Sequence, residues 1–258
     1  MPDESLFPAG RAQAVLALLH EHGRVASSDL AARFGVSEDS IRRDLRELAH
    51  QGLCRKVYGG AIRNTPTYAG FQQRIQSGGP ERAALASAVC ALLQEGQLIF
   101  LDAGSTNLAI AQALPEDAGL TLVTNAPQLA IAAGQRRGVR VQLIGGSFAA
   151  GTGGVVGAEA LAQLQRLRMD VCVPGACAVD AGSGIWAVDA EEAALKRLAV
   201  QNSSRVIIAA SAGKLGSEGN YHVATLAEID DLVLPGGAPD SQCTAFADAG
   251  IRVHQPTH

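Results

Sequence analysis

The sequence predicts two domains: a small helical domain closed by a β-hairpin, then a larger α/β domain with a mainly parallel sheet. Three observations predict this. Residues 27–48 spell an amphipathic helix, a glycine turn and a second amphipathic helix. Residues 53–62 spell two short strands about Gly59-Gly60. From Glu81 onward, short apolar runs alternate with helical stretches, the pattern of a parallel sheet with crossover helices. At 258 residues the chain is long enough for two hydrophobic cores.

In the first domain, Arg11–His22 forms a helix with Val15, Leu18 and Leu19 inward. The next helix carries Leu30, Ala31 and Phe34 at spacings of three and four, and Ser27 or Ser28 caps its start. Gly35 supplies the left-handed residue that ends it, and Val36 tucks between the two helices. Ser37 caps the third helix, with Glu38 and Asp39 favoured by its dipole. Ile41, Leu45 and Leu48 face inward there, while Arg42, Arg43 and Arg46 project from other faces. Gly52-Leu53-Cys54-Arg55-Lys56-Val57-Tyr58-Gly59-Gly60-Ala61-Ile62 then reads as a basic hairpin. Three helices and a basic hairpin make a winged helix-turn-helix, with Arg55 and Lys56 placed at a DNA backbone. The plainer reading is a solvated surface helix whose arginines pair with Asp44 and Glu47. The preceding helix and the hairpin favour DNA.

Residues 63–70 and 77–80 are turn-rich, with Phe71 and Arg74 anchoring a short segment between them. The expected division is therefore 1–62 for the winged domain, 63–80 for a linker and 81–258 for the α/β domain. In the latter, Leu85, Val89, Leu92 and Leu93 mark a helix. Leu98–Leu101 is a buried strand ending in Asp102-Ala103-Gly104-Ser105-Thr106 before a helix to Leu114. Leu120–Val123 ends in Thr124-Asn125, and Val141–Ile144 in Gly145-Gly146. Further strands are expected at Val171–Val173, Arg205–Ala210 and Asp231–Leu234.

A sheet of this kind binds ligands outside the carboxyl ends of its strands. Gly104, Ser105 and Thr106 open a helix there, so amide groups and two hydroxyls suit an anion such as phosphate. Thr124, Asn125, Gly145 and Gly146 lie at equivalent edges. Each alone also fits an ordinary turn or cap. Three consecutive strand ends of this chemistry point to a shared pocket.

Composition narrows the classes. Aromatic residues make up only 4 % of the chain, so the core is built from Ala, Val, Leu and Ile. The formal charge is −4, yet residues 42–63 hold Arg42, Arg43, Arg46, Arg55, Lys56 and Arg63 against Asp44 and Glu47. A local basic face is what nucleic acid requires. The five cysteines are scattered and odd in number, which fits reduced thiols better than disulfides or zinc. The six histidines offer no metal constellation. No apolar run reaches the roughly 18 residues of a membrane span, and Asp3 and Glu4 stand where a secretory leader would be basic. A cytoplasmic protein with no membrane partner and no cofactor is expected.

Val36-Ser37, Ile41-Arg42-Arg43-Asp44-Leu45 and Tyr58-Gly59-Gly60-Ala61 resemble the DeoR family of bacterial transcription regulators, with Ser40 in the family's threonine position. The match extends over nearly the whole chain. With the resemblance, the expected DNA-facing set is Ser37, Asp39, Ser40, Arg42, Arg43, Arg46, Arg55, Lys56 and Tyr58. It also implies a sensor domain similar to ribose-5-phosphate isomerase and coenzyme A transferases, answering to phosphorylated sugars. The family's strand-end motifs match Asp102–Thr106, Thr124-Asn125 and Gly145-Gly146. Its helix motif matches Glu192-Ala193 and Lys196-Arg197, and its late lysine matches Lys214. The implied effector set is Asp102, Gly104, Ser105, Thr106, Thr124, Asn125, Gly145, Gly146, Lys196 and Lys214.

Departures cluster near that set. Ser211-Ala212-Gly213 replaces an aspartate and serine before the lysine, and Val173-Pro174-Gly175-Ala176-Cys177-Ala178 replaces a phenylalanine-isoleucine-glycine stretch. Pro235 stands for a late aspartate, and Glu81-Arg82 for glutamate-lysine. The expected function is repression of a carbohydrate operon at double-stranded operator DNA by a homo-oligomer, relieved by a phosphorylated sugar. The alternative is a sugar-phosphate isomerase-like enzyme using Asp102, Glu191, Glu192, Lys196 and Lys214. An isomerase has no use for a winged helix.

Overall fold

The computed structural model describes residues 8–51, 53–63, 70–76, 79–217 and 219–256. The N-terminal domain runs α1 (Pro8–His22), β1 (Arg24–Ala26), α2 (Ser27–Phe34), α3 (Glu38–His50), β2 (Cys54–Val57) and β3 (Gly60–Arg63). Its core is Val15, Leu18, Leu19, Val25, Leu30, Ile41, Leu45 and Leu48 with Cys54 and Ala61 from the wing. Gly35 ends α2 in the left-handed conformation, φ 63°, and the Ser37 hydroxyl caps α3 by accepting from the Ser40 amide at 3.2 Å. Two local readings change. Ala26 is the cap residue of α2, which places Ser27 and Ser28 inside the helix. The sheet has three strands, because β1 pairs antiparallel with β3 through Arg24–Ala26 and Gly60–Ile62.

The larger domain continues α4 (Phe71–Gln76), α5 (Gly79–Cys90), β4 (Leu98–Leu101), α6 (Ser105–Ala113), β5 (Thr121–Thr124), α7 (Pro127–Gly134) and β6 (Arg140–Leu143). Then come β7 (Ser147–Ala149), β8 (Gly154–Val156), α8 (Ala158–Leu164), β9 (Met169–Val173), β10 (Ala178–Asp180), β11 (Gly184–Ala187) and α9 (Ala190–Gln201). The chain closes with β12 (Ser203–Ala209), β13 (Tyr221–Ala224), β14 (Asp231–Val233), α10 (Asp240–Asp248) and β15 (Arg252–His254). Seven strands form a parallel sheet in the order β15-β14-β12-β9-β4-β5-β6. β10, β11 and β13 make a small antiparallel sheet, and β7 pairs with β8.

Alternation along the strands divides the core. Ile99 and Leu101 face α5, α6 and α7 with Val171 and Val173. Phe100 and Cys172 face α8 and α9 with Leu195 and Ala199. β3 runs through Arg63, and α5 starts at Gly79. Phe71, placed in the linker by composition, is buried in the α/β core, and its amide donates to the Gly151 carbonyl. The remaining linker residues 64–69 and 77–78, together with Asp3, Glu4 and Gly52, lie outside the described residues. No helix of the described residues is long and apolar enough to cross a membrane.

Candidate functional site

Two surfaces carry the chemistry. On α3, Ile41, Leu45 and Leu48 are buried against the domain core, which turns Arg42, Arg43 and Arg46 outward. Asp44 does not quench them. It binds Arg11 of α1 at 2.5 Å, and Glu47 accepts from Gln51. Arg42 lies along its own helix, 2.8 Å from Glu38 and 3.3 Å from Asp39. Exposed pairs of this kind contribute little and are readily exchanged for a phosphate. No ion pair to Arg43, Arg46 or Lys56 is present among the described residues. Tyr58 stands fully exposed at the tip of the wing, where Gly59 at φ 79° makes the turn. Ser37 and Ser40 share a 3.0 Å hydroxyl contact at the start of α3. All nine expected residues thus lie on α3 and the wing.

The second surface is the carboxyl edge of the parallel sheet. Asp102, directly after β4, is 1 % exposed; its Oδ2 accepts from the Gly175 amide at 2.9 Å and lies 2.7 Å from Lys196 Nζ. Gly175 must be glycine here, because a Cβ would stand 2.7 Å from the Ala103 carbonyl oxygen. Lys196, 2 % exposed, also lies 3.8 Å from Glu192 Oε1, so it is neutralised before any ligand arrives. Burial raises the Glu192 pKa, with Asp102 and Asp189 adding to it against Lys196 and a hydrogen bond from Thr152.

Lys214 ends a short 3₁₀ turn, Ala212–Lys214, after β12. Burial lowers its pKa to about 8 despite the neighbouring Cys177, and Arg74, Lys196 and Arg82 lower it further. Arg82 donates to the Arg74 and Ile75 carbonyls at the end of α4. It also lines a cavity of about 360 Å³ with Ser105, Ile75 and Gly79. Arg74 and Arg82 went unpredicted as site residues. The Glu81-Arg82 departure was the available signal, since arginine keeps the charge of the lysine it replaces.

Other expected effector residues are already occupied. The buried Thr124 hydroxyl donates to the Leu101 carbonyl at 2.6 Å and accepts from the Ala126 amide. Asn125 accepts from the Ala103 amide and donates to the Val155 carbonyl, fastening β5 to its neighbours. Gly145 is bracketed by the Gln163 amide group, and a Cβ on Gly146 would stand 2.8 Å from the Val156 carbonyl. Both follow β6, four strands from β12. At roughly 4.8 Å per strand, no small sugar phosphate spans Lys214 and this pair. Gly145 and Gly146 thus stand apart from Lys214, and the side-chain polar atoms of Thr124 and Asn125 are engaged by main chain. Asp102, Gly104, Ser105 and Thr106 lie at the end of β4, with Lys196 of α9 on Asp102 and Lys214 two strands along, after β12.

The Lys214 turn also touches the other domain. The Ser217 hydroxyl donates to the Lys214 carbonyl, and the Gly216 amide to Val179. Gly216 and Gly23, at φ 63° and 74°, meet backbone to backbone: a Cβ on either would fall 2.2–2.3 Å from the other's Cα. Gly23 is the turn between α1 and β1.

A basic helix and wing joined to an α/β domain with a cationic, partly enclosed strand edge define a ligand-responsive DNA-binding protein. The model for the DeoR-like helix-turn-helix domain matches residues 11–67, and that for the DeoR C terminal sensor domain matches residues 79–234. The chain belongs to the DeoR family and is a DNA-binding transcription regulator. It is 32 % identical over 253 residues to the HTH-type transcriptional regulator GlpR of Haloferax volcanii, covering 96 % of this chain and 98 % of that one. It is 27 % identical to the glycerol-3-phosphate regulon repressor of Escherichia coli, covering 94 % and 97 %. These relatives are named as regulators, not enzymes. Ribose 5-phosphate isomerase A from Neisseria gonorrhoeae aligns over 52 % of each chain, with a TM-score of 0.38 and 14 % identity.

Proposed function

We propose that the protein represses a carbohydrate-utilisation operon and leaves its operator when a phosphorylated sugar or polyol binds the sensor domain. One observation carries the reading: Arg82, which lines a cavity with Ser105 at the start of α6, lies with Arg74 close enough to Lys214 to lower the lysine's pKa. Such a cluster is stabilised by a dianion. The relatives named for a glycerol-3-phosphate regulon and an aga operon support the same class. DNA is met by Ser37, Asp39, Ser40, Arg42, Arg43, Arg46, Arg55, Lys56 and Tyr58. A homo-oligomer in the cytoplasm presents two such domains to paired half-sites, since one winged helix covers little DNA.

The Gly23–Gly216 contact supports a route between the sites. Ligand closure on Lys214 moves the turn that abuts α1. Release follows only if the ligand prefers the arrangement that does not fit DNA, with coupling of about 1–3 kcal/mol. The test is fluorescence anisotropy on labelled DNA from the promoters beside its own gene, titrated with a panel of sugar phosphates. Loss of the complex with one panel member, and retention of it by Lys214→Ala, is the expected result. A complex unmoved by every phosphorylated sugar refutes the proposal.

A further inference from the structure

The two edges of the parallel sheet are finished differently. At one edge, β15 carries Arg252 and His254, both bonded to the buried Asp231 carboxylate, at 3.0 Å and 2.7 Å. An exposed charge such as Arg252 on an edge strand discourages a further strand. At the other edge, β6 pairs with β5 on one side, and no strand of the described residues covers its other side. Val141 and Leu143 of β6 point to the α7 face, where Val141 packs against the core and Leu143 is 47 % exposed. Phe148, on β7 just beyond, is 60 % exposed.

This free edge is complementary to itself. The Arg140 amide donates to the Leu120 carbonyl and the Ile144 amide to the Thr124 carbonyl, both on the β5 side. Alternation therefore turns the main-chain groups of Val141 and Leu143 outward. A second β6, laid antiparallel about a twofold axis at Gln142, matches every outward donor to an acceptor. Val141 then exchanges two hydrogen bonds with Leu143 of the second copy, and Leu143 two with its Val141. The same register sets apolar on apolar on the α7 face. On the opposite face it sets Gln142 against Gln142, two side-chain amides able to bond each other.

Charge agrees with this register. Arg140 and Gln142 lie on the face that α8 covers, since their β5 partners Thr121 and Val123 share it and Val123 packs with Ala160 and Leu164 of α8. The Gly145 amide, just past β6, donates to Gln163 of α8, whose own amide donates to Glu159 at 3.3 Å. Glu159 thus stands at the end of β6 to which the twofold axis brings Arg140 of the second copy. Among the described residues Arg140 and Glu159 make no ion pair; their polar contacts are the Thr121 hydroxyl and the Gln163 amide.

We propose that the sensor domain dimerises through β6, two copies of this chain joining their sheets into one. This rests on the homo-oligomer reading above and names its contact surface. Analytical ultracentrifugation of the full chain over a dilution series tests it. Leu143→Lys is expected to raise the dissociation constant of the dimer by about tenfold or more. Arg140→Glu and Glu159→Arg are each expected to raise it by about threefold or more, because each faulty contact occurs twice in a twofold pair. The double variant is expected to recover most of that loss. All three residues are exposed in the protomer, so circular dichroism should not change. The inference is overturned if Leu143→Lys leaves the dissociation constant unchanged, or if the double variant associates no better than the single ones. A wild-type chain that stays monomeric refutes the oligomer reading and this surface with it, whereas an oligomer indifferent to the variants refutes the β6 surface alone.

Discussion

If Lys214 holds the effector's phosphate, as proposed, effector binding should depend on pH in a window that few side chains occupy. Burial, with Arg74, Lys196 and Arg82 close by, lowers its pKa from 10.5 to about 8. A sugar monophosphate has its second pKa near 6, so it is predominantly dianionic from pH 7 to 9. Only the protonated lysine attracts it. The protonated fraction falls from about nine-tenths at pH 7 to about one-tenth at pH 9, so affinity should drop about tenfold, or about 1.4 kcal/mol. Titration calorimetry at the two pH values, with the tightest sugar phosphate of the panel, measures this. Lys214→Arg should flatten the profile, because a guanidinium stays charged throughout, and Cys177→Ser, which removes a group that raises the lysine's pKa, should move the fall in affinity to lower pH. The sign for stability is the reverse. The native lysine binds fewer protons than the unfolded one between pH 8 and 10.5, so this group makes the unliganded chain more stable as pH rises through that window. Equal affinities at pH 7 and 9, or a tenfold drop that persists in Lys214→Arg, would refute the reasoning.

Other outcomes follow from the same geometry. Arg43→Ala and Lys56→Ala should each shallow the salt dependence of operator binding by about one log–log unit if they meet phosphates; unchanged slopes in both would remove α3 and the wing from the interface. Lys196→Ala leaves the Asp102 carboxylate buried with the Gly175 amide as its remaining polar partner. Loss of a buried partner costs about 3–5 kcal/mol, so calorimetry should show a melting point lower by roughly 6–20 °C. Gly216→Val places a branched side chain at φ 63° against Gly23. Amide exchange should accelerate at residues 19–25 while β4 stays protected, and uniform protection would deny the interdomain contact a structural role.

What was legible in the sequence was local or fully buried. The turn between α2 and α3 announces itself through Gly35, Ser37 and the spacing of Ile41, Leu45 and Leu48, because each acts within one or two helical turns. β4 was bounded correctly as Leu98–Leu101, since a central parallel strand is apolar on both faces. β1, β7, β8, β10, β11, β13 and β15 carry no such signal. They are three or four residues long, and β1 exists only through pairing with residues about 35 positions away. Helix α4 hid in a polar stretch, Gln72, Gln73 and Gln76 masking the single anchor Phe71.

The site divides along a different line. Polar residues at strand ends read alike in sequence, whether they serve a ligand or the backbone. Thr124 and Asn125 resemble binding groups, yet their polar atoms bond neighbouring main chain across β4 and β8. Glu192 resembles a helix-start charge, yet it is buried beside Lys196. Residue type and position set what a side chain is able to bind. Whether it is available is set by the carbonyls and amides that folding brings beside it, and these come from chain segments 22 to 73 residues away for Asp102, Thr124 and Asn125. A polar residue at a strand end is a ligand group only when the backbone has left it something to do, and among the strand-end residues Lys214 and Ser105 meet that condition better than Thr124 or Asn125.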